Sequence, residues 1–372
     1  MSKIISRREF LRMGAATCAA CATSVFAATG EDESRFVKEA MYYEKLDDLR
    51  IRCLLCPKKC EIADRERGAC GVRENRKGTY YTLVHSRPCS GLRPDPIEKK
   101  PFYHVYPGSL SFSLATAGCN MVCRFCQNWE ISQFRPEDRD STYAPPETLA
   151  DMAKRSGCKT IAYTYTEPVI FYEYMYDSAK VSRERGVGNV MISNGYINKA
   201  PMTELCKVLT AVKIDLKAFT EDFYVKMCGG HLKPVLDTLV TLKEQGIWFE
   251  IVVLLLPGMN DGEKEIREMC QWVRKELGPD APIHFSRFYP TYMVQNLPRT
   301  PIQTVEQARS IALECGLNYA YIGNASGHEG EKTYCPKCKN MIVDRVGYHI
   351  GRVDIRDGKC ANCGNPIPGV WA

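Results

Sequence analysis

Three cysteines, Cys119, Cys123 and Cys126, fall at the spacing C-x3-C-x2-C, with Phe125 directly before the third and Gln127-Asn128-Trp129 after it. Thiolates are the usual ligands of iron–sulfur clusters, and a 4Fe–4S cubane takes one ligand per iron. Three closely spaced thiolates therefore hold three irons and leave the fourth open. An open metal position marks a catalytic site, whereas a structural site is closed. A zinc knuckle with a borrowed fourth ligand, or plain buried cysteines, would use the same residues. Spacing, aromatic and context together favour the cluster.

Two further sets have four cysteines each. Cys53, Cys56, Cys60 and Cys70 (C-x2-C-x3-C-x9-C) would close a site, either tetrahedral zinc or an auxiliary iron–sulfur cluster, with Cys89 as a substitute for one of the four. A closed site staples a segment that has little core of its own. A relay of electrons to the first cluster is the more consequential alternative. Cys335, Cys338, Cys360 and Cys363 (C-x2-C…C-x2-C) have zinc-ribbon spacing, which rubredoxin-type iron would share. Cys158, Cys206, Cys228, Cys270 and Cys315 sit in apolar or helical contexts and read as small buried hydrophobes.

Elements able to position these ligands are legible between Ser111 and Ile322. Short apolar runs (111–115, 160–165, 189–193, 212–216, 248–255, 283–288 and 319–322) alternate with helical patterns (146–156, 169–185, 232–244, 263–276 and 304–315). Such alternation predicts parallel βαβ units. There are too few for an eight-fold barrel, so the fold class is α/β with a partial barrel. Barrel sites gather at the C-terminal strand ends. There the sequence places the three-cysteine loop, Thr166-Glu167-Pro168, Asn194-Gly195-Tyr196 and Asp215-Leu216-Lys217.

Composition sets the outer bounds. Hydrophobic residues make up 45% and charged residues 25% of 372, which is ordinary for a globular chain and argues against disorder. The net charge of +6 is concentrated at the N-terminus and too mild elsewhere for a nucleic-acid-binding face. Residues 1–30 read as a twin-arginine-type signal: Arg7-Arg8, Phe10 and Leu11, then an Ala-rich run too short for a stable membrane span. That suggests export to the periplasm, with cytoplasmic retention as the alternative. A Cys-rich segment (31–105), a core (106–327) and a ribbon-like tail (328–372) follow. Two loop pairs have both an active and a plain reading: His328-Glu329 as acid–base pair or solvated turn, and Lys99-Lys100 as anion site or charged turn.

The motifs Cys53-Leu54-Leu55-Cys56-Pro57, Asp95 through Pro101, Gly118-Cys119-Asn120 through Asn128, Tyr165-Thr166-Glu167-Pro168 and Thr333-Tyr334-Cys335-Pro336 resemble the AmmeMemoRadiSam-system radical S-adenosylmethionine (SAM) enzymes, relatives of the pyruvate formate-lyase activating enzymes. The resemblance implies a partial (β/α)6 barrel and SAM chelating the open iron of a 4Fe–4S cluster. It implies cofactor contacts from Phe125 (adenine), Glu167 (amino group), Asn194 (ribose), and Asp215 and Lys217 (carboxylate). Tyr165-Thr166 replace two glycines of the superfamily pattern. No catalytic residue beyond the cluster is assigned. An electron donor such as flavodoxin or ferredoxin follows, as does zinc in the tail. The implied activity is an activating-enzyme-like oxidoreductase that abstracts hydrogen; the resemblance does not settle the substrate, and a glycyl-radical-activase-like protein modification is one reading. A small-molecule substrate, or a non-catalytic zinc or iron–sulfur protein, is the alternative.

Overall fold

The computed structural model describes residues 33–371. The twin-arginine-type segment, with Cys18 and Cys21, lies outside the described residues. Among the described residues no helix is long and apolar enough to cross a membrane.

Six short strands come first: β1 (Lys38–Glu39), β2 (Tyr43–Lys45), β3 (Ile51–Cys53), β4 (Glu61–Ile62), β5 (Arg73–Arg76) and β6 (Thr79–Thr82). They form two antiparallel three-stranded sheets, β1-β6-β5 and β2-β3-β4. The main sheet has eight strands in sequential order: β7 (Ser90–Pro96), β8 (Leu110–Ala115), β9 (Thr160–Tyr163), β10 (Gly188–Ser193), β11 (Ala211–Asp215), β12 (Trp248–Leu255), β13 (Ile283–Arg287) and β14 (Ala320–Gly323). β8 to β14 run parallel, and their near-continuous apolar runs suit strands covered on both faces. Helices α1 (Pro146–Arg155), α2 (Tyr172–Glu184), α3 (Lys199–Cys206), α4 (Leu232–Glu244), α5 (Glu263–Trp272) and α6 (Ile302–Glu314) fill the crossovers. The result is six strand–helix units, with β14 added at one edge and antiparallel β7 at the other. The two edges do not pair, so the barrel is partial.

β7 was not predicted, because Gly91, Pro94 and Pro96 argue against a strand. It is tolerated at the sheet's edge, where a missing N–H faces no partner strand.

The N-terminal ends of the strands are plugged by the stretch around Ile97, Phe102 and Val105, packed on Ala162, Val190 and Ala211. Glu250 on β12 anchors this plug. It accepts the backbone N–H groups of Tyr103 (3.0 Å) and His104 (2.8 Å) and is 2.7 Å from His284 Nε2. The tail, with β15 (Thr333–Tyr334), β16 (Met341–Val346) and β17 (His349–Val353), closes over the same end. Arg345 donates to Thr333 Oγ1 (2.6 Å), which lies 3.0 Å from Tyr321 Oη. His104 Nδ1–H donates to the Pro368 carbonyl (2.7 Å), so Nε2 is left to accept from Tyr321 Oη (2.7 Å). Burial favours that neutral ring.

Burial pulls His104 down to about 4. The unfolded chain therefore binds a proton that the folded chain refuses between about pH 6.5 and 4. Stability from this group is complete above pH 6.5 and is lost as pH falls through that window, by roughly 3 kcal/mol. We expect denaturant midpoints to fall across it, and the fall to be shallower in His104→Gln.

Candidate active site

The three-cysteine loop follows β8 at the C-terminal end of the sheet. It opens on Gly118 at φ +94°, where an added Cβ would lie 2.6 Å from Val72 Cγ1 and 2.7 Å from the Cys70 carbonyl. Only glycine permits that approach. The loop is irregular, so its polar groups need outside partners. Val122 and Arg124 N–H donate to the carbonyls of Cys228 and Met227 (both 2.9 Å) after β11. Asn128 Nδ2 donates to the Tyr165 carbonyl after β9, and Asn120 Nδ2 to the Tyr196 carbonyl after β10 (both 2.8 Å). All three thiols are free. Each has a polar neighbour: Met121 N–H donates to Cys119 Sγ (3.4 Å), Ser132 Oγ is 3.3 Å from Cys126 Sγ, and the Cys228 thiol neighbours Cys123.

Glu167 is buried at the mouth. Its carboxylate accepts Val169 N–H (3.1 Å), Ser193 Oγ–H (2.7 Å) and Asn194 N–H (2.7 Å). Burial still pushes it up to about 7, because no cation faces it among these partners. A carboxylate offers about four acceptor sites, so one remains. Tyr165 takes φ +66°, the left-handed conformation a glycine would adopt freely, at a cost of about 1–2 kcal/mol. Its hydroxyl donates to Asp95, which holds the strained residue in place.

Asn194 Nδ2 donates to Asn120 Oδ1 (2.8 Å) and lies 4.0 Å from Cys119 Sγ. Its Oδ1 accepts Tyr196 N–H (2.9 Å). The side chain that the resemblance assigns to a ribose is thus tied to the cysteine loop. Asp215 bridges Lys213 (3.0 Å) and Lys217 (3.4 Å). Burial works against the Lys217 ammonium, but the Asp215 carboxylate beside it holds it well above the ordinary lysine range. The ammonium is 6.0 Å from the ring centre of Phe125, which packs on Phe223.

Two side chains were missed. Lys213, two residues before Asp215 on one strand face, had a readable period but sits in an apolar run. Cys228 reads as a core cysteine, and nothing in its local sequence marks contact with Cys123. Of the plain alternatives, Lys99 and Lys100 both pair with Asp95 (2.8 and 2.9 Å), and burial pulls Lys100 down to about 8. His328 Nδ1 accepts Gly330 N–H, its Nε2 meets Glu306, and Glu329 is exposed beside Lys332. That is the solvated turn.

The C-terminal four thiols converge. All ligand atoms lie within 4.8 Å of one another, with Cys335–Cys363 at 3.7 Å and Cys338–Cys360 at 3.8 Å. Zn–S bonds of about 2.3 Å put tetrahedral thiolates about 3.8 Å apart, so a single ion fits. Cys53, Cys56, Cys60 and Cys70 instead line a common cavity. Cys89 is not in it; its N–H donates to the Ala115 carbonyl at the start of β7.

Comparison with known proteins agrees with this geometry. The chain is 46% identical over 333 residues to the uncharacterised protein MJ0808 of Methanocaldococcus jannaschii, covering 89% of this chain and 99% of that one. Among solved structures it is similar to a domain of pyruvate-formate lyase-activating enzyme from Bacteroides vulgatus (19% identity, 44% of this chain and 98% of that one, TM-score 0.40). It is also similar to a radical SAM methyltransferase from Sphaerobacter thermophilus (14% identity, 61% and 71%, TM-score 0.48). Residues 113–272, from β8 through α5, match the Radical SAM superfamily. The chain belongs to one family with MJ0808, and its barrel is a radical SAM domain.

Proposed function

We propose that Cys119, Cys123 and Cys126 hold a 4Fe–4S cluster whose open iron takes SAM, and that the enzyme abstracts hydrogen from a protein partner in the manner of the AmmeMemoRadiSam and activating-enzyme branch. The reading is carried by Glu167, a buried carboxylate without a cation, next to a loop of three free thiols. The donor set fits: three thiols on one glycine-hinged loop, spread wider than a single ion's ligands, beside an acceptor site suited to an ammonium. When bound and reduced, the cluster with SAM supplies one-electron cleavage to methionine and a 5′-deoxyadenosyl radical.

The chain's own residues bind and orient. Glu167 takes the cofactor's amino group at its remaining acceptor site, and Lys217, held by Asp215, takes the carboxylate. Phe125 lines the adenine side, and Asn194 fixes the loop and reaches the ribose. Zinc in the tail holds the plug closed. Support for a protein substrate comes from the rim: Val122 (58% exposed), Val225 (50%) and Met293 (57%) stand in the connections that follow β8, β11 and β13. Apolar side chains grouped at a mouth suit a macromolecular partner.

Anaerobic reconstitution with SAM and dithionite should release 5′-deoxyadenosine, and Cys123→Ala should abolish it. Absence of the nucleoside from the wild type would leave only binding roles. Cation binding favours ionised Glu167, so SAM affinity, measured by calorimetry, should tighten as pH rises through about 7. Glu167→Gln should flatten that dependence and weaken binding about tenfold or more. Cys228→Ala should keep its cluster iron but move the reduction midpoint more negative, because a hydrogen bond to a cluster sulfur favours the reduced state.

A further inference from the structure

The two outer cysteine sets differ in geometry, and the difference separates their metals. Among the described residues, the C-terminal four are the one group of metal-ligating side chains whose ligand atoms all fall within 4.8 Å of one another. Neither Cys119, Cys123 and Cys126 nor any three of Cys53, Cys56, Cys60 and Cys70 meet that span. A cubane puts each thiolate on a different iron, so its ligands stand farther apart than those of one ion. The N-terminal set thus shares the wide spread of the radical SAM loop rather than the tight one of the ribbon.

These thiols line one cavity, walled also by Leu55, Ala69, Val169 and Ile170. Charge is provided for as well. Arg73 lines the cavity, fully buried, its guanidinium paired with Glu173 and donating to the Ile170 carbonyl (3.1 Å). Tyr80 lines it too. A cluster with four thiolates is an anion, and the wall offers it one guanidinium, shared with Glu173, and one hydroxyl.

The cavity also abuts the radical SAM loop. Cys70 O is one of the two atoms that forbid a Cβ at Gly118, and Cys70 and Cys119 line one open cleft. Asn120, next to Cys119, forms part of the cavity wall.

We propose that Cys53, Cys56, Cys60 and Cys70 bind a second 4Fe–4S cluster, closed by four thiolates, that exchanges single electrons with the cluster on the Cys119 loop. One electron leaves the reduced N-terminal cluster and enters the oxidised one beside SAM. A low-potential one-electron carrier protein restores it. The exchange rests on the proposed reading of the Cys119 loop; the second cluster itself does not.

The test is a metal and sulfide count on anaerobically reconstituted protein, followed by electron paramagnetic resonance after reduction. The wild type should hold about eight irons, eight sulfides and one zinc. Four irons with two zincs would overturn the proposal. The Cys119→Ala/Cys123→Ala/Cys126→Ala variant should keep four irons in a signal that SAM leaves unchanged; loss of all iron overturns it. Cys56→Ser/Cys60→Ser should keep a cluster whose signal responds to SAM. If that cluster is absent while the triple variant keeps its own, the Cys119 reading fails and the second cluster stands. The fully reduced wild type should show spin–spin broadening absent from both variants. A spectrum that is the simple sum of the two would overturn the exchange.

Discussion

An irregular loop buried at the mouth of a barrel cannot satisfy its own backbone, and most of the architecture around this site answers that problem. From Thr116 to Asn128 the chain forms no strand and only isolated turns. Its N–H and C=O groups and its asparagines find partners after β9, β10 and β11, so three crossovers meet on one loop. The thiols are held by that convergence. Their positions would be lost with any strand register that moved one of those loops.

The N-terminal sheets belong to the same solution. They have little core of their own, but Val72 and the Cys70 carbonyl press against Gly118, and Lys58 Nζ donates to the Gly229 carbonyl (3.0 Å) beyond β11. The buried Arg73–Glu173 pair fastens this segment to α2. Removing one partner of such a pair strands a charge, a loss of about 3–5 kcal/mol. At the opposite end, Glu250 gathers the plug and His104 gathers the tail, so the barrel is closed below and open above.

Buried charge is sorted accordingly. Asp95, Asp215 and Glu250 each face a cation or several donors, and for each the attraction overcomes the cost of burial. Glu167 and Glu98 accept only neutral donors, and burial raises both. Of these two, Glu167 stands beside the thiol loop, and its remaining acceptor site faces that loop's ligand chemistry.

Much of this was legible in the chain itself. Cysteine spacing is local, so the three sets could be read directly, and short apolar runs between helical patterns marked every parallel strand from β8 to β14. β7, the six short N-terminal strands and α3 could not be read: prolines, two- to four-residue lengths and a polar composition hide them. The spacing of Cys53, Cys56, Cys60 and Cys70 suits zinc or a cluster equally, because sequence separation does not specify how far apart sulfurs stand. The contact of Cys228 with Cys123, the pairing of Lys213 with Asp215 and the isolation of Glu167 join residues 2 to 105 positions apart. Ligand chemistry is a property of residue type and local spacing, and the sequence alone determined it. Which thiols share a cavity, and which carboxylates lack a cation, depends on distances across folded loops, and only the tertiary structure decided them.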